Sequence, residues 1–271
     1  MGPVIAVGEI GDDRVADYRN LTDADLARRR AGAGGAGSFI VEGTFAIREL
    51  LASQYPVRSL LLSEGKLEAM AEDLAAITVP VFVAGRETMA GIAGFDVHRG
   101  ALASACRLPL RPMEAVTGTA RLLAVIEDVN DLENLGALFR NAAAFAVDGV
   151  LLSPRCADPL YRRCVRVSVG QVLHVPWTRV AGWPSALDAL RAEGFDLVAL
   201  TPDRSATPLP CLRADGGRRA LLVGAEGAGL SPGAMAAASR RVRIPMAPGV
   251  DSLNVATAAA LAFYQCAARS S

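Results

Sequence analysis

Leu221-Leu-Val-Gly-Ala-Glu-Gly-Ala-Gly-Leu-Ser231, followed after a short helical spacer by Val242-Arg-Ile-Pro-Met-Ala-Pro-Gly-Val-Asp-Ser-Leu-Asn254, decides how the chain is read. Ala220 to Val223 is an apolar run suited to a buried strand. It runs into Gly224, Gly227 and Gly229, a loop whose backbone can approach a ligand closely or take positive φ, and one carboxylate, Glu226, sits inside it. In the second half Ile244-Pro245 ends a strand, because proline cannot donate to a ladder, and Pro248-Gly249 turns the chain. Ser252 or Asp251 is placed to cap an Ala-rich helix running to about Ala268. The glycines fit neither G-x-G-x-x-G nor G-x-x-x-x-G-K-[ST], so neither a dinucleotide nor a nucleoside-triphosphate cradle is indicated. On spacing alone, a cofactor pocket and a pair of ordinary α/β turns are equally open readings.

Outward from that stretch, strands and helices alternate. Residues 119–271 read as strands near 122–126, 150–153, 172–175 and 195–200, with helices over 133–147, 160–169 and 184–193. That is a doubly wound α/β domain, with ligands expected beyond the carboxyl ends of the strands. Leu108-Pro-Leu-Arg-Pro112 marks a linker spanning about 108–118. Residues 38–107 read as a smaller α/β unit with a mostly parallel sheet: strands at 39–41, 59–62, 79–83 and 101–105, and helices over 44–53, 66–77 and 87–92. Residues 1–37 read as an arm that orders against the body, with a short helix from Leu21 to Arg30 capped by Thr22 or Asp23 and a flexible tract from Ala31 to Gly37.

With 271 residues, 52% of them hydrophobic and 21% charged, the chain is globular rather than disordered. No apolar run reaches 18 residues and Met1 to Ile10 lacks the pattern of a signal peptide, so a cytoplasmic protein without a membrane span is expected. Cys106, Cys156, Cys164, Cys211 and Cys266 are odd in number and form no C-x-x-C pair, and there are only two histidines, His98 and His174. Neither a disulfide framework nor a metal site is expected. The net charge is zero, split as 12 basic against 15 acidic residues over 1–115 and 16 against 13 over 116–271. Of the 28 basic residues all but Lys66 are arginine, whose planar fork suits phosphate, although a GC-rich coding sequence produces the same bias. Arg155, Arg162, Arg163 and Arg166 form a basic cluster on and before one helix, readable as a phosphate-tracking face or as a solvated one.

Gly224-Ala-Glu-Gly-Ala-Gly-Leu-Ser231 and Ile244-Pro-Met-x-x-Gly-x-x-Ser-Leu-Asn-Val255 resemble motifs 2 and 3 of the SpoU/TrmH family of S-adenosylmethionine-dependent RNA ribose 2′-O-methyltransferases. Asn134-Leu-Gly-Ala-Leu-Phe-Arg-Asn-Ala-Ala-Ala144 resembles motif 1, and the three occur in the family's order and spacing. Phe39-Ile-Val-Glu-Gly-x-x-x-Ile47 and His98-Arg-Gly-Ala101 resemble the amino-terminal substrate-binding domain found in many members. The resemblance implies a SPOUT α/β domain with a parallel sheet and a deep trefoil knot, a homodimer, and an RNA substrate, ribosomal RNA ahead of tRNA.

The same resemblance assigns roles. Arg140 matches the motif 1 arginine that contacts the substrate phosphate or hydroxyl, with Asn134 orienting it or capping its helix. Glu226, Ser252 and Asn254 frame the active site, Glu226 orienting Arg140 or binding substrate. S-adenosylmethionine contacts are expected around Leu200, Thr201, Gly224, Glu226, Gly229, Ile244, Met246, Ser252 and Leu253, with Ile244, Met246 and Leu253 as apolar walls for adenine. Arg166-x-Ser168-x-Gly170 also resembles a family stretch, which joins Ser168 to the basic cluster as RNA contacts. Leu132 stands where the family often has Pro, Asn141 where it often has Thr, Ala146 where Gly is frequent and Gln171 where Ala is frequent. A non-catalytic RNA-binding or ribosome-assembly factor is the competing class. An NAD-type oxidoreductase lacks its glycine fingerprint.

Overall fold

The computed structural model describes residues 2–21, 37–212 and 216–267. The helix expected over 21–30 and the Gly/Ala tract lie outside the described residues, apart from Leu21 and Gly37. Contacts divide the chain into two units, Met1–Pro109 with Leu160–Leu173, and Leu110–Pro159 with His174–Ser271.

The first unit holds a five-stranded sheet in the order β1 (Val4–Ala6), β4 (Val81–Val83), β3 (Val57–Leu62), β5 (Ala101–Cys106), β2 (Ser38–Glu42). β1, β4 and β3 run parallel, but β5 is antiparallel to both β3 and β2, which corrects the expected mostly parallel sheet. Leu62 faces Ala101. Residues 94–100, turning through Gly94 and Gly100 at positive φ, return the chain to the strand ends it had just left, so β5 starts there. Thr44–Leu51 (α1) buries Ala46, Ile47 and Leu50 at helical spacing. The helix expected over 66–77 is two shorter ones, Glu64–Ala69 (α2) and Ala71–Leu74 (α3), and Arg86–Ala93 (α4) buries Met89, Ile92 and Ala93. The amino-terminal segment is part of this core: Val15, Tyr18 and Leu21 are fully buried, and Tyr18 Oη shares a 2.8 Å hydrogen bond with Ser59 Oγ. Each such apolar side chain contributes roughly 1.5–3 kcal/mol on burial.

The second unit holds seven parallel strands in the order β10 (Thr207–Pro208), β12 (Arg240–Arg243), β9 (Asp196–Leu200), β11 (Arg219–Gly224), β6 (Leu122–Glu127), β7 (Gly149–Leu152), β8 (Trp177–Arg179). All six residues of β6 are buried, as expected of a central strand covered on both faces. Leu123, Val125, Leu151, Leu197 and Leu222 of the sheet pack with Leu187 and Leu190 of the helix Ala186–Ala192. The strand expected at 172–175 is a 3₁₀ turn over Gln171–Leu173 in the first unit, and the strand lies beyond Pro176, at Trp177–Arg179. A short apolar run does not distinguish the two. The helix expected over 133–147 spans Leu132–Ala144. It ends in a Schellman motif, with Val147 N–H donating to Ala142 O, Ala146 N–H donating to Ala143 O, and Ala146 at φ 52.

Candidate functional site

Because the seven strands are parallel, the loops after β6, β9, β11 and β12 leave from one edge of the sheet. That edge carries every expected cofactor residue. The loop after β11 folds back on itself: Ala225 and Gly229 form an isolated antiparallel bridge, and Gly229 N–H donates to Ala225 O at 2.9 Å. A Cβ on Gly224 would lie 2.2 Å from the Gly229 carbonyl carbon, so only glycine allows this close approach of backbone to backbone. Gly227 and Gly229 take φ of 78° and 67°.

The reversal presents Glu226 to two side-chain amides from distant parts of the chain. Asn134 Nδ2 donates to Glu226 Oε1 at 2.8 Å. Asn254 Nδ2 donates to the same oxygen at 3.2 Å and to Asn134 Oδ1 at 2.7 Å. Among the described residues no cation pairs with Glu226, and Oε2 has no partner. Asn254 also caps the helix Val255–Cys266, accepting from Ala256 N–H at 3.0 Å and Thr257 N–H at 3.2 Å. Ser252 and Asp251 are therefore not the cap. Their side chains bond each other at 3.3 Å on the exposed loop before it. Nor does Asn134 cap its helix: Asp131 does, accepting from Asn134 N–H at 2.8 Å, which frees the Asn134 side chain for Glu226.

Arg140 lies on the same helix as Asn134, exposed and without a hydrogen bond or ion pair among the described residues. Six residues of α-helix turn it about 240° from Asn134 and carry it about 9 Å along the axis. Glu226 therefore does not orient Arg140 within one chain. Asn141, one residue on, ties this helix to Val255–Cys266 by donating from Nδ2 to Ala256 O at 2.9 Å. Of the apolar residues, Ile244 and Met246 are half-buried and Leu253 is 40% exposed. Leu200 is half-buried and ends β9. Thr201 spends its backbone N–H on Val242 O at 2.9 Å, so a ligand there meets its carbonyl or hydroxyl.

The basic cluster is not one exposed face. Arg162 opens the helix Arg162–Val167, is only 12% exposed, and pairs with the buried Glu42 while lying 4.1 Å over the Phe95 ring. Arg166 sits 3.6 Å from the same carboxylate, and Ser168 is buried with its hydroxyl donating to Val165 O. Arg163 is exposed. Arg155 belongs to the second unit and pairs with Asp128. Desolvation works to raise the Asp128 carboxyl, but the hydrogen bonds from Arg155 and Ser153 outweigh it and hold the pKa below the usual range. His98 is exposed and lies 3.2 Å from Asp96.

Residues 121–264, more than half of the chain, match the SpoU rRNA methylase family, and residues 40–108 match the RNA 2′-O ribose methyltransferase substrate-binding family. The chain belongs to the SpoU family. An uncharacterised tRNA/rRNA methyltransferase of Mycobacterium tuberculosis is 46% identical over 256 residues, covering 94% of this chain and 88% of that protein. An AdoMet-bound rRNA methyltransferase from Sinorhizobium meliloti superposes with a TM-score of 0.78 at 25% identity, covering 97% of each chain. A solved RNA 2′-O ribose methyltransferase superposes with a TM-score of 0.77 at 26% identity, covering 96% of this chain and 97% of that one. The SpoU match spans Asn134, Arg140, Glu226, Ser252 and Asn254 together. Among the described residues no helix of this SpoU protein is long and apolar enough to cross a membrane.

Spacing alone did not reveal that Asn134, Glu226 and Asn254 meet. It also missed Glu127, a buried carboxylate at the end of β6 that touches the glycine loop.

Proposed function

We propose that this SpoU protein transfers a methyl group from S-adenosylmethionine to a ribose 2′-hydroxyl of RNA, with ribosomal RNA, 23S rRNA above all, as substrate. The observation that carries the reading is the meeting of Asn134, Glu226 and Asn254 at the carboxyl edge of a parallel sheet. A non-catalytic relative has no need for two helices and a glycine loop to converge on one unneutralised carboxylate. The residues also fit the cofactor. An apolar rim of Ile244, Met246 and Leu253 suits an adenine, and the open backbone of the 224–229 loop suits its polar end.

When bound, S-adenosylmethionine supplies an activated methyl group. The chain's own task is positioning and local electrostatics. Asn134 and Asn254 fix Glu226 through Oε1, which leaves Oε2 to accept from a hydroxyl and orient it. Arg140, a permanent cation that cannot itself take a proton, suits a substrate phosphate and lowers the hydroxyl pKa by its charge. Its placement away from Asn134 is accommodated by a homodimer. Leu261 and Tyr264 are 43% and 52% exposed on the helix packed against the Arg140 helix, and Tyr264 stacks edge-on with Phe145. Such apolar exposure suits a partner subunit, and the reading places Arg140 at that interface. A trefoil knot through the 219–266 segment belongs to the same reading, supported by the family.

The test is methyl transfer from labelled S-adenosylmethionine to separated large-subunit rRNA, small-subunit rRNA and tRNA, each lacking its own modifications, with alkali-resistant dinucleotides scored as 2′-O-methylation. Label in large-subunit rRNA, lost in Arg140→Ala, is the expected result. Label in tRNA moves the substrate, and base methylation without alkali resistance removes the ribose assignment.

A further inference from the structure

Glu127 is 2% exposed and ends β6 directly opposite Gly224, the first residue of the glycine loop. Its Oε2 accepts from Ser231 N–H at 2.8 Å, at the last residue of that loop. Its Oε1 accepts from the Trp183 indole N–H. Ser231 in turn caps the helix Pro232–Ala237, its hydroxyl accepting from Ala234 N–H at 3.2 Å, and Gly233 of that helix packs on Pro184. Among the described residues both donors to this carboxylate are neutral, and Arg155 acts on it through its charge without bonding it. A buried carboxylate without a bonded cation is costly, so its place here calls for a role that an apolar residue could not fill.

One residue thus holds both ends of the loop, its start through the strand ladder and its end through the side chain. We infer that Glu127 is the positioning residue that closes the 224–231 loop and thereby holds Glu226 against Asn134 and Asn254. Releasing Ser231 lets the end of the loop swing. Gly227 and Gly229 offer little resistance to that motion, and Glu226 lies between the two ends. Trp183 shares the carboxylate and reports on it without being needed for the loop. The inference deepens the cofactor reading above and rests on it for the ligand used in its test.

The experiment compares the full-length wild type with Glu127→Gln and Trp183→Phe. Glutamine keeps the size but turns an N–H₂ toward one of the two donors. Two readouts are taken. The first is the ¹H–¹⁵N signals of the Asn134 and Asn254 side-chain amides and the Ser231 amide, with no ligand present. The second is the affinity for S-adenosylhomocysteine by calorimetry. Glu127→Gln is expected to shift all three signals and weaken affinity about tenfold, the size of one lost hydrogen bond to a charged group. Trp183→Phe is expected to leave the asparagine signals in place and the affinity within about twofold. If Glu127→Gln moves only the Trp183 indole signal while the asparagine signals stay, the positioning role is overturned. Wild type that fails to bind S-adenosylhomocysteine overturns the cofactor reading instead, and the ligand-free asparagine signals still decide the role of Glu127. Should Glu127→Gln not fold, Glu127→Asp, which keeps the charge but draws the carboxylate back from Ser231 N–H, gives the same two readouts.

Discussion

Glu42 in the first unit and Glu226 in the second are both carboxylates at or just beyond the end of a strand, yet their surroundings differ in kind. Glu42 is 5% exposed, paired with Arg162, approached by Arg166, and walled by Phe95 through the stacked guanidinium. Its charge is matched and nothing more can reach it. Glu226 is exposed, held only by two neutral amides through one oxygen, and keeps its charge and its second oxygen free. The first arrangement spends a carboxylate on fixing the helix Arg162–Val167 in its unit. The second spends two asparagines on aiming a carboxylate outward. A closed pair marks structure and an open one marks a site, although the residue type is the same.

Breaking the closed pair should have the largest effect. Arg162→Met leaves Glu42 buried beside a partly exposed Arg166 and is expected to cost about 3–5 kcal/mol of stability, read from denaturant midpoints. Adding Glu42→Leu should recover most of that loss, since the penalty comes from the orphaned charge. If the double variant is as unstable as the single, the pair is not the closed unit described. At the open site the pattern reverses. Glu226→Gln should change stability by less than about 0.5 kcal/mol, as surface substitutions do, while methyl transfer falls about a hundredfold. A stability loss as large as that of Arg162→Met would show Glu226 to be structural, like Glu42.

Two smaller effects sharpen the contrast from elsewhere in the second unit. Ala146 ends the Asn134 helix at φ 52, so Ala146→Gly should raise stability by about 0.5–1 kcal/mol in thermal unfolding without altering transfer. The Asp128–Arg155 pair is a third carboxylate environment, more exposed than Glu42 but matched by a cation. Its folded pKa lies below the unfolded value, so its contribution is present above about pH 4 and lost as pH falls further. Asp128→Asn should therefore narrow its thermal gap from wild type between pH 6 and pH 3. A gap that stays constant across that range would leave the pair without a stability role.

The sequence carried the alternation of strands and helices well, because the apolar runs of β6, β7, β9 and β11 are long and bounded by glycine, proline or polar residues. It failed where runs were short. Val172 and Leu173 are apolar yet lie in a turn, whereas Val4 to Ala6 forms a strand only because β4 offers an edge far along the chain. Caps were ambiguous because Asp251, Ser252 and Asn254 are all good capping residues, and only the backbone shows that the helix starts at Val255. The members of the site were legible through their motifs, but their meeting was not. Nothing in the spacing of 134, 226 and 254 says that one glutamate oxygen receives both amides. Arg162 was ambiguous for a related reason: an arginine on a short helix reads as a phosphate contact or a solvated charge until its partner, Glu42, is seen.

The three site residues come from a helix after β6, a loop after β11 and a cap beyond β12, and β6 pairs with β11 across a long stretch of intervening chain. Closing such a separation costs chain entropy before any contact repays it, so this pairing is a slow event in folding. The carboxylate and its two amides come together only where β6 and β11 are paired and the cap beyond β12 is in place. Competence at this site is then a property of the whole unit, and no single helix or loop carries it.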